Sequence, residues 1–475
     1  VKTFSIYGPP GTGKTSELLR RMEAAKQEFK VSQIGFLSFT KAGANEALKR
    51  LGIARSDKIS TIHSLMYRLN NCIGASVIDI HKLRAFGLKA GFRFRGQATD
   101  TGEQMEIGDQ FLSVLSKARN RMADLRDEYH ESDRPGDWAS FEFFCKSFES
   151  WKEANGFIDF NDMLSMYLRE PKNHGASILF IDEAQDLSNL QWRVIDAMLK
   201  FESVKQVHIA GDDDQAIFEW SGANTHGMLE FEQRYDSARS VLEQSWRVPQ
   251  AVYELAMRVA GTIENRVEKL YQPRDAEGIV SRTSMFDPKA VTHGEDVLIL
   301  CRSYLTKKSV EDELIRHRIP YKTEGGYGGL FSSRLAEGIR VFNRMVDGQS
   351  IGQVDIDRLS AVADDRTRKE IQAKNFMPML KRGYLRSFII PPSLVDFYRD
   401  ADFTQEPTIR LSTIHSAKGR EAERVILHTG LTEKTLRDMD KDQRSFDAEA
   451  RVWYTGVTRA KQKLEILEGD DGYKL

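Results

Sequence analysis

The sequence predicts an α/β protein: two doubly wound cores with parallel sheets, each carrying a mainly helical insertion. Three observations predict it: short apolar runs bounded by turn residues recur in two blocks, helical patterns alternate with them, and two longer stretches break that alternation. The first block holds TFSIY (3–7), IGFLSF (34–39), SILFID (177–182) and QVHIAG (206–211). The second holds DVLILC (296–301), IRLSTI (409–414), RVILHT (424–429) and KLEIL (463–467). Each run is short and mostly apolar on both faces, as strands buried within a parallel sheet are. Leu18, Leu19, Met22, Ala25 and Phe29 share one face at helical spacing and predict an amphipathic helix over 16–29. No short internal repeat is apparent.

Two stretches depart from the alternation. Residues 64–156 are helical, charged and aromatic, with Trp138, Phe141, Phe143, Phe144, Phe148 and Trp151 close together. Residues 334–404 are helical again, punctuated by Pro378, Pro391 and Pro392. The expected division is a first lobe of 1–63 and 157–226 with insertion 64–156, and a second lobe of 227–333 and 405–475 with insertion 334–404.

With 475 residues and 40% hydrophobic content, the chain can bury several cores. Its 69 basic residues balance 70 acidic ones, so a polyanionic partner would have to meet local basic surface. The three cysteines, Cys72, Cys145 and Cys301, are scattered, against a disulfide framework, a zinc ribbon or a cluster site. No apolar run approaches the ~20 residues of a membrane span, and the start is unlike a signal peptide. A cytoplasmic protein is expected, with no membrane partner; it begins at Val1, so the natural first residues are expected to be missing.

Residues 8–15 read GPPGTGKT between an apolar strand and a helix. Glycines there let backbone N–H groups wrap phosphates, and the helix N-terminus adds positive potential. Lys14 suits the β and γ phosphates, and the Thr15 hydroxyl suits magnesium. In ILFIDEAQD (178–186), an apolar strand ends in Asp182 and Glu183. Asp182 suits hydrated magnesium, and Glu183 suits a water activator, which favours nucleotide hydrolysis over transfer to another acceptor. ATP and Mg2+ are the expected ligands, held by Gly8, Pro9, Pro10, Gly11, Thr12, Gly13, Lys14, Thr15 and Ser16 with Asp182.

Together with FTKAGANEAL, STIHSL, IAGDDDQAIFEWSGA, LEQSWRVP, LSTIHSAKGREAERV and EARVWYTGVTRAKQKL, taken in order, these strings resemble the UvrD/Rep/PcrA family of superfamily 1 DNA helicases. The resemblance runs nearly end to end and implies two RecA-like P-loop domains. It also implies ATP hydrolysis driving 3′ to 5′ movement on single-stranded DNA, with single–double strand junctions as further substrates. A protein loading partner is compatible with it, as is a viral protein in a host cytoplasm. In its terms Gln215 is a γ-phosphate sensor and Trp220 a base-stacking platform beside Phe218. Trp246 stacks on adenine, while Arg247 and Arg459 act as arginine fingers from the far lobe, Arg459 supported by Tyr454. Gly419 and Glu421 approach the nucleotide, Glu421 at the ribose, with Lys418 in the same string. Phe39, Thr40, Thr61, His63 and His415 contact the strand, with Ser64 beside them. Asp159, in DFND, is either the family's return from the first insertion or a plain helix N-cap.

The chain departs from that pattern in places. No glutamine motif precedes Gly8, Ser16 and Ser221 stand where arginines are common, FTKAGANEAL is one residue short, and the second insertion is reduced. Two basic runs carry two readings each, solvated helix or phosphate contact. One is Lys82, Arg84, Lys89, Arg93 and Arg95, interleaved with Phe86, Phe92 and Phe94. The other is Arg366, Arg368, Lys369, Lys374, Lys381, Arg382 and Arg386. The alternative functions are a translocase without robust unwinding, a 5′ to 3′ helicase, and a P-loop binding module without motor activity.

Overall fold

The computed structural model describes residues 1–38, 41–72, 74, 76–96, 105–132, 135–291, 294–323, 333–400, 407–469 and 472–475. The chain forms two compact units: Val1–Val248 with Ala256–Asp275 and Lys434–Thr455, and Pro249–Leu255 with Ala276–Glu433 and Gly456–Leu475.

The first unit is built on a six-stranded parallel sheet of β1 (Lys2–Tyr7), β2 (Ile34–Ser38), β3 (Ile59–Thr61), β4 (Ile178–Ile181), β5 (Gln206–Gly211) and β6 (Ala238–Val241), in spatial order β3-β2-β4-β5-β1-β6. The predicted runs are its inner strands, and Ile6, Tyr7, Phe36, Phe180, Val207 and Ile209 within them are wholly buried. Helix α1 (Lys14–Ala25) packs Leu18, Leu19, Met22 and Ala25 into this core. Each fully buried Leu or Met there contributes about 1.5–3 kcal/mol relative to exposure. The edge strand β6 lies beyond residue 226 in the chain, yet pairs with β1 from Phe4↔Ala238 to Tyr7↔Val241. All six strands point the same way, so β1, β4 and β5 end together, and loops at such carboxyl ends form ligand crevices.

The 64–156 region has its own aromatic core of Phe86, Phe94, Phe111, Tyr129, Phe141, Phe144 and Phe148. Its central helix is α2 (Ile107–Arg121). Phe86 and Phe94 are buried, and Phe92 packs its edge on Phe144 at 5.2 Å. The rings interleaved with the first basic run therefore pack into this core. Arg84 donates to the Phe94 and Arg95 carbonyls, and Arg95 pairs with Glu106.

The second unit holds a second six-stranded parallel sheet: β7 (Ile279–Thr283), β8 (Val297–Cys301), β9 (Lys322–Thr323), β10 (Ile409–Thr413), β11 (Ala422–His428) and β12 (Ala460–Leu467), in order β7-β12-β11-β8-β10-β9. The helices of the 334–404 region enclose a separate core that includes Ile339, Leu359, Ile371, Met379, Phe397 and Tyr398. In the second basic run, Arg382 and Arg366 converge on Glu370, and Arg368 donates to the Ser360 and Ala363 carbonyls. Among the described residues no helix is long and apolar enough to cross a membrane.

Candidate functional site

The loop after β1 turns twice through left-handed backbone, at Gly11 (φ 74°) and Gly13 (φ 83°), conformations that side-chain-bearing residues adopt only with strain. Thr12 ties the loop to itself, its hydroxyl donating to the Pro9 carbonyl at 2.7 Å. Lys14 folds back over it, Nζ donating to the Gly8 carbonyl at 2.7 Å. Burial pulls the Lys14 ammonium below its usual range, while the carboxylates of Glu183, Asp212 and Asp182 pull the other way. Ser16 is exposed on the first turn of α1.

β4 delivers the acids. The Thr15 hydroxyl donates to Asp182 at 2.8 Å, joining the two predicted magnesium residues. Burial, and next the neighbouring Glu183, raise the Asp182 carboxyl, an environment that favours a cation between these groups. Glu183 sits in left-handed backbone (φ 54°, ψ 43°), a conformation costing about 1–3 kcal/mol in a non-glycine residue and typical of functional turns. Gln185 stabilises that turn: its amide donates to Glu183 at 2.6 Å, and its carbonyl accepts the Asp212 N–H at 3.0 Å.

β5 delivers the third segment. Gln215 is buried, and its amide donates to Asp212 at 2.6 Å. Five residues on, Trp220 is half-buried at the centre of a short turn, with Phe218 also half-buried just before it. The strand Gln244–Pro249 then returns along the phosphate loop. The Ser245 hydroxyl donates to the Pro10 carbonyl at 2.8 Å and Trp246 N–H to the Gly11 carbonyl at 2.9 Å. Arg247 lies against Gly11 and close enough to Lys14 to lower its proton affinity. The Trp246 ring is 73% exposed, so its flat face is open to a planar ligand. Lys14, Thr15, Asp182, Glu183, Gln215, Trp246 and Arg247 thus all belong to the first unit.

Sequence reasoning missed the cations beneath this loop. Asp212, Asp213 and Asp214 are buried together, an arrangement too costly to persist without partners. Lys269, itself buried, pairs with all three; Arg266 forks onto Asp214 at 2.8 and 2.5 Å; and Arg451 donates to the Asp213 carbonyl at 3.0 Å. Three consecutive aspartates directly after an apolar strand were the available signal. Tyr454 is fully buried, its hydroxyl 3.5 Å from that of Tyr271.

A short repeat also escaped the sequence reading: STIHS occurs at 60–64 and again at 412–416. The two copies end β3 and β10 and share their hydrogen bonds. Thr61 donates to Ser64 at 2.9 Å and accepts that residue's N–H at 3.3 Å; Thr413 and Ser416 do the same at 3.1 and 3.2 Å. Thr61 is therefore a helix N-cap. His63 packs edge-on to Phe160 at 5.4 Å, and burial pushes its imidazole down to about 4. Asp159 caps the helix Phe160–Arg169 and also pairs with Arg119 and Lys152. Phe39 and Thr40 lie outside the described residues.

In the second unit, Arg459 is buried just past the end of the helix Gln443–Val457, donating to the Arg420 carbonyl at 3.4 Å. Glu421, expected at the ribose, pairs with Lys461 at 2.8 Å. His415 is half-buried, its carbonyl accepting the Lys418 N–H at 3.3 Å; Gly419 is exposed in left-handed backbone (φ 81°).

Comparison with known proteins assigns the two ends of the chain to one family. Residues 2–236 match the UvrD/REP helicase N-terminal domain, and residues 355–468 match the UvrD-like helicase C-terminal domain. The chain is 24% identical to the ATP-dependent DNA helicase PcrA of Leuconostoc citreum, over 68% of this chain and 48% of that protein. It is 23% identical to the ATP-dependent DNA helicase UvrD2 of Mycobacterium tuberculosis (strain ATCC 25618 / H37Rv), over 97% and 76%. It is also 23% identical to DNA helicase II of Escherichia coli (strain K12), over 68% and 49%. The chain thus spans about half the length of the PcrA and DNA helicase II relatives. With both an N-terminal and a C-terminal domain match, the chain belongs to the UvrD/Rep family of superfamily 1 helicases.

Proposed function

We propose that this chain is an ATP-driven motor that moves 3′ to 5′ along single-stranded DNA and separates strands at junctions, working in the cytoplasm with or without a protein loading partner. One observation carries the reading: a single loop of the first unit, 211–222, holds Gln215 at one end, bonded to Asp212, a carboxylate that acts on Lys14, and Trp220 at the other. A hydrolytic site and a flat aromatic face on one short segment are what coupling turnover to strand grip requires.

In this reading ATP lies along Gly8–Ser16 with its base against Trp246. Lys14 and Arg247 neutralise charge growing on the transferred phosphoryl group, and Arg459 is the candidate second arginine. Glu183, held by Gln185, accepts the proton of the attacking water, and Gln215 orients that water against the phosphate. Thr15 and Asp182 would hold magnesium, which would supply charge neutralisation at the phosphates. Trp220 and Phe218 would stack on bases, with Thr61, His63 and His415 along the backbone. The 64–156 and 334–404 regions are proposed as insertions within the two lobes.

A second reading, a translocase with little unwinding, draws on the reduced 334–404 insertion. Duplexes with 3′ or 5′ single-stranded tails test both. Displacement from 3′ tails supports the first reading, and strand-dependent movement without displacement supports the second. Displacement from 5′ tails alone contradicts the assigned polarity.

A further inference from the structure

The loop 211–222 is built from two single 3₁₀ turns, Asp213–Gln215 and Glu219–Ser221, joined by Ala216–Phe218. Each turn is bonded within itself, the Gln215 and Ala216 N–H groups to the Asp212 and Asp213 carbonyls and the Ser221 and Gly222 N–H groups to the Phe218 and Glu219 carbonyls, so each turn is a small unit of its own. One helix spans it from outside. Helix α3 (Gln443–Val457), through its Gln443–Thr455 portion, belongs to the first unit with the loop. At one end Arg451 Nε donates to the Asp213 carbonyl at 3.0 Å, two residues before Gln215, and Asp447 accepts the N–H groups of Glu264 and Asn265 at 3.1 and 3.0 Å. Two helical turns away, about 10 Å along the axis, Arg444 Nε donates to the Glu219 carboxylate, directly before Trp220.

Glu219 is a buried acid, so its ion pair with a side chain that is itself 63% exposed has a specific role: it brings a surface arginine down onto the turn. Arg121, at the end of α2, is 4.0 Å from the same carboxylate. On the other side of Trp220, Asn120 donates to the Ser221 carbonyl at 2.9 Å, and a side chain at Gly222 would overlap Asn120, with Cβ atoms 2.6 Å apart. Both residues flanking Trp220 are thus tied to helices. α3 reaches both the Trp220 end, through Arg444, and the Gln215 end, through Arg451.

We propose that α3 is a strut linking the two ends of this loop, and that Arg444, acting through Glu219, is a positioning residue that sets the Trp220 ring for the strand. This rests on the reading of Trp220 as a stacking platform and of Gln215 as the phosphate sensor. The strut makes the two ends move as one body. Loss of the Arg444–Glu219 pair uncouples the Trp220 end from α3, leaving it tied to α2 through Asn120, while the Gln215 end keeps its bonds to Asp212 and Arg451.

The test uses the full chain and an oligothymidylate strand, with ATP turnover followed as strand concentration rises. Arg444→Ala is expected to leave strand-free turnover within about twofold of the parent while raising the half-stimulating strand concentration by about fivefold or more. Arg444→Lys, which keeps the charge but not the fork, should recover part of that loss. In a Glu219→Gln background, Arg444→Ala should add nothing, because the pair is already broken. Should the Glu219 variant not fold, the Ala and Lys variants of exposed Arg444 still decide. A half-stimulating concentration unchanged in Arg444→Ala overturns the proposal, as does an equal loss of strand-free and stimulated turnover. A parent chain whose turnover ignores the strand overturns the motor reading itself. A stimulated parent with an indistinguishable Arg444→Ala variant overturns only the strut.

Discussion

The backbone N–H of Trp246 donates to the carbonyl of Gly11 at 2.9 Å, pinning the Gln244–Pro249 strand to the phosphate loop one residue before Arg247. A Cβ on Gly11 would stand 2.4 Å from that of Arg247, and the Gly11 backbone is left-handed. Gly11→Ala should therefore push Arg247 and Trp246 off the loop together. We expect turnover to fall about a hundredfold or more, comparable to losing a transition-state donor, with weakened nucleotide binding measured by titration of a fluorescent ATP analogue. Full activity in Gly11→Ala would show that this contact is dispensable.

Glu183 is held in left-handed backbone with its carboxylate fixed by Gln185 at 2.6 Å, a geometry suited to directing water and not to binding nucleotide. Glu183→Gln should bind ATP with near-parental affinity and lose about 10²–10⁴ in turnover, the usual range for a general base. Single-turnover hydrolysis beside equilibrium binding checks this. Parental turnover in that variant would remove Glu183 from the chemistry.

Trp220→Ala should leave strand-free turnover near the parent and weaken strand affinity by the ~1–3 kcal/mol that one stacked base contributes. Fluorescence anisotropy of a labelled oligonucleotide gives the number. An unchanged affinity would return Trp220 to a packing role.

Three histidines of the first unit are held neutral by burial, His63, His174 and His208 each being pushed down to about 4; at His208 the Arg21 guanidinium adds to the effect. His208 is stacked between Phe4 and Phe180 at 4.5 and 5.0 Å. In the unfolded chain they titrate near 6.5, so between about pH 6.5 and 4 the unfolded state binds more protons. Stability should be full above pH 6.5 and fall as pH drops through that window, at up to ~1.4 kcal/mol per pH unit for each histidine. Denaturant melts at pH 7.5 and 5 should show the loss, and His208→Gln should reduce its slope by about one proton. A pH-independent midpoint would contradict this.

The inner strands and the phosphate loop were legible because burial on both faces leaves unbroken apolar runs, and because phosphate binding demands glycines at fixed offsets. The edge strands Ala238–Val241 and Ile279–Thr283 were not: each carries exposed positions, so polar residues interrupt the signal. Their pairing is decided by a distant neighbour, β1 for the first and β12 for the second. The same limit hid Lys269 and Arg266, which lie 56 and 52 residues from the aspartates they neutralise. Phe86 and Phe94 were visible as aromatics among cations, but only the packing of Phe141, Phe144 and Phe148 around them assigns them to a core. The STIHS pair was visible in the letters and overlooked because five residues recur across 352 positions; its matching hydrogen bonds make the repeat evident.

The most direct test of the account is steady-state ATP hydrolysis by the parent chain and by Lys14→Ala, each with and without saturating single-stranded DNA. Turnover should rise at least tenfold with the strand, the scale of an allosteric coupling of about one to two kcal/mol or more, and Lys14→Ala should show no turnover under either condition. A parent rate indifferent to the strand, or turnover retained in Lys14→Ala, would contradict it.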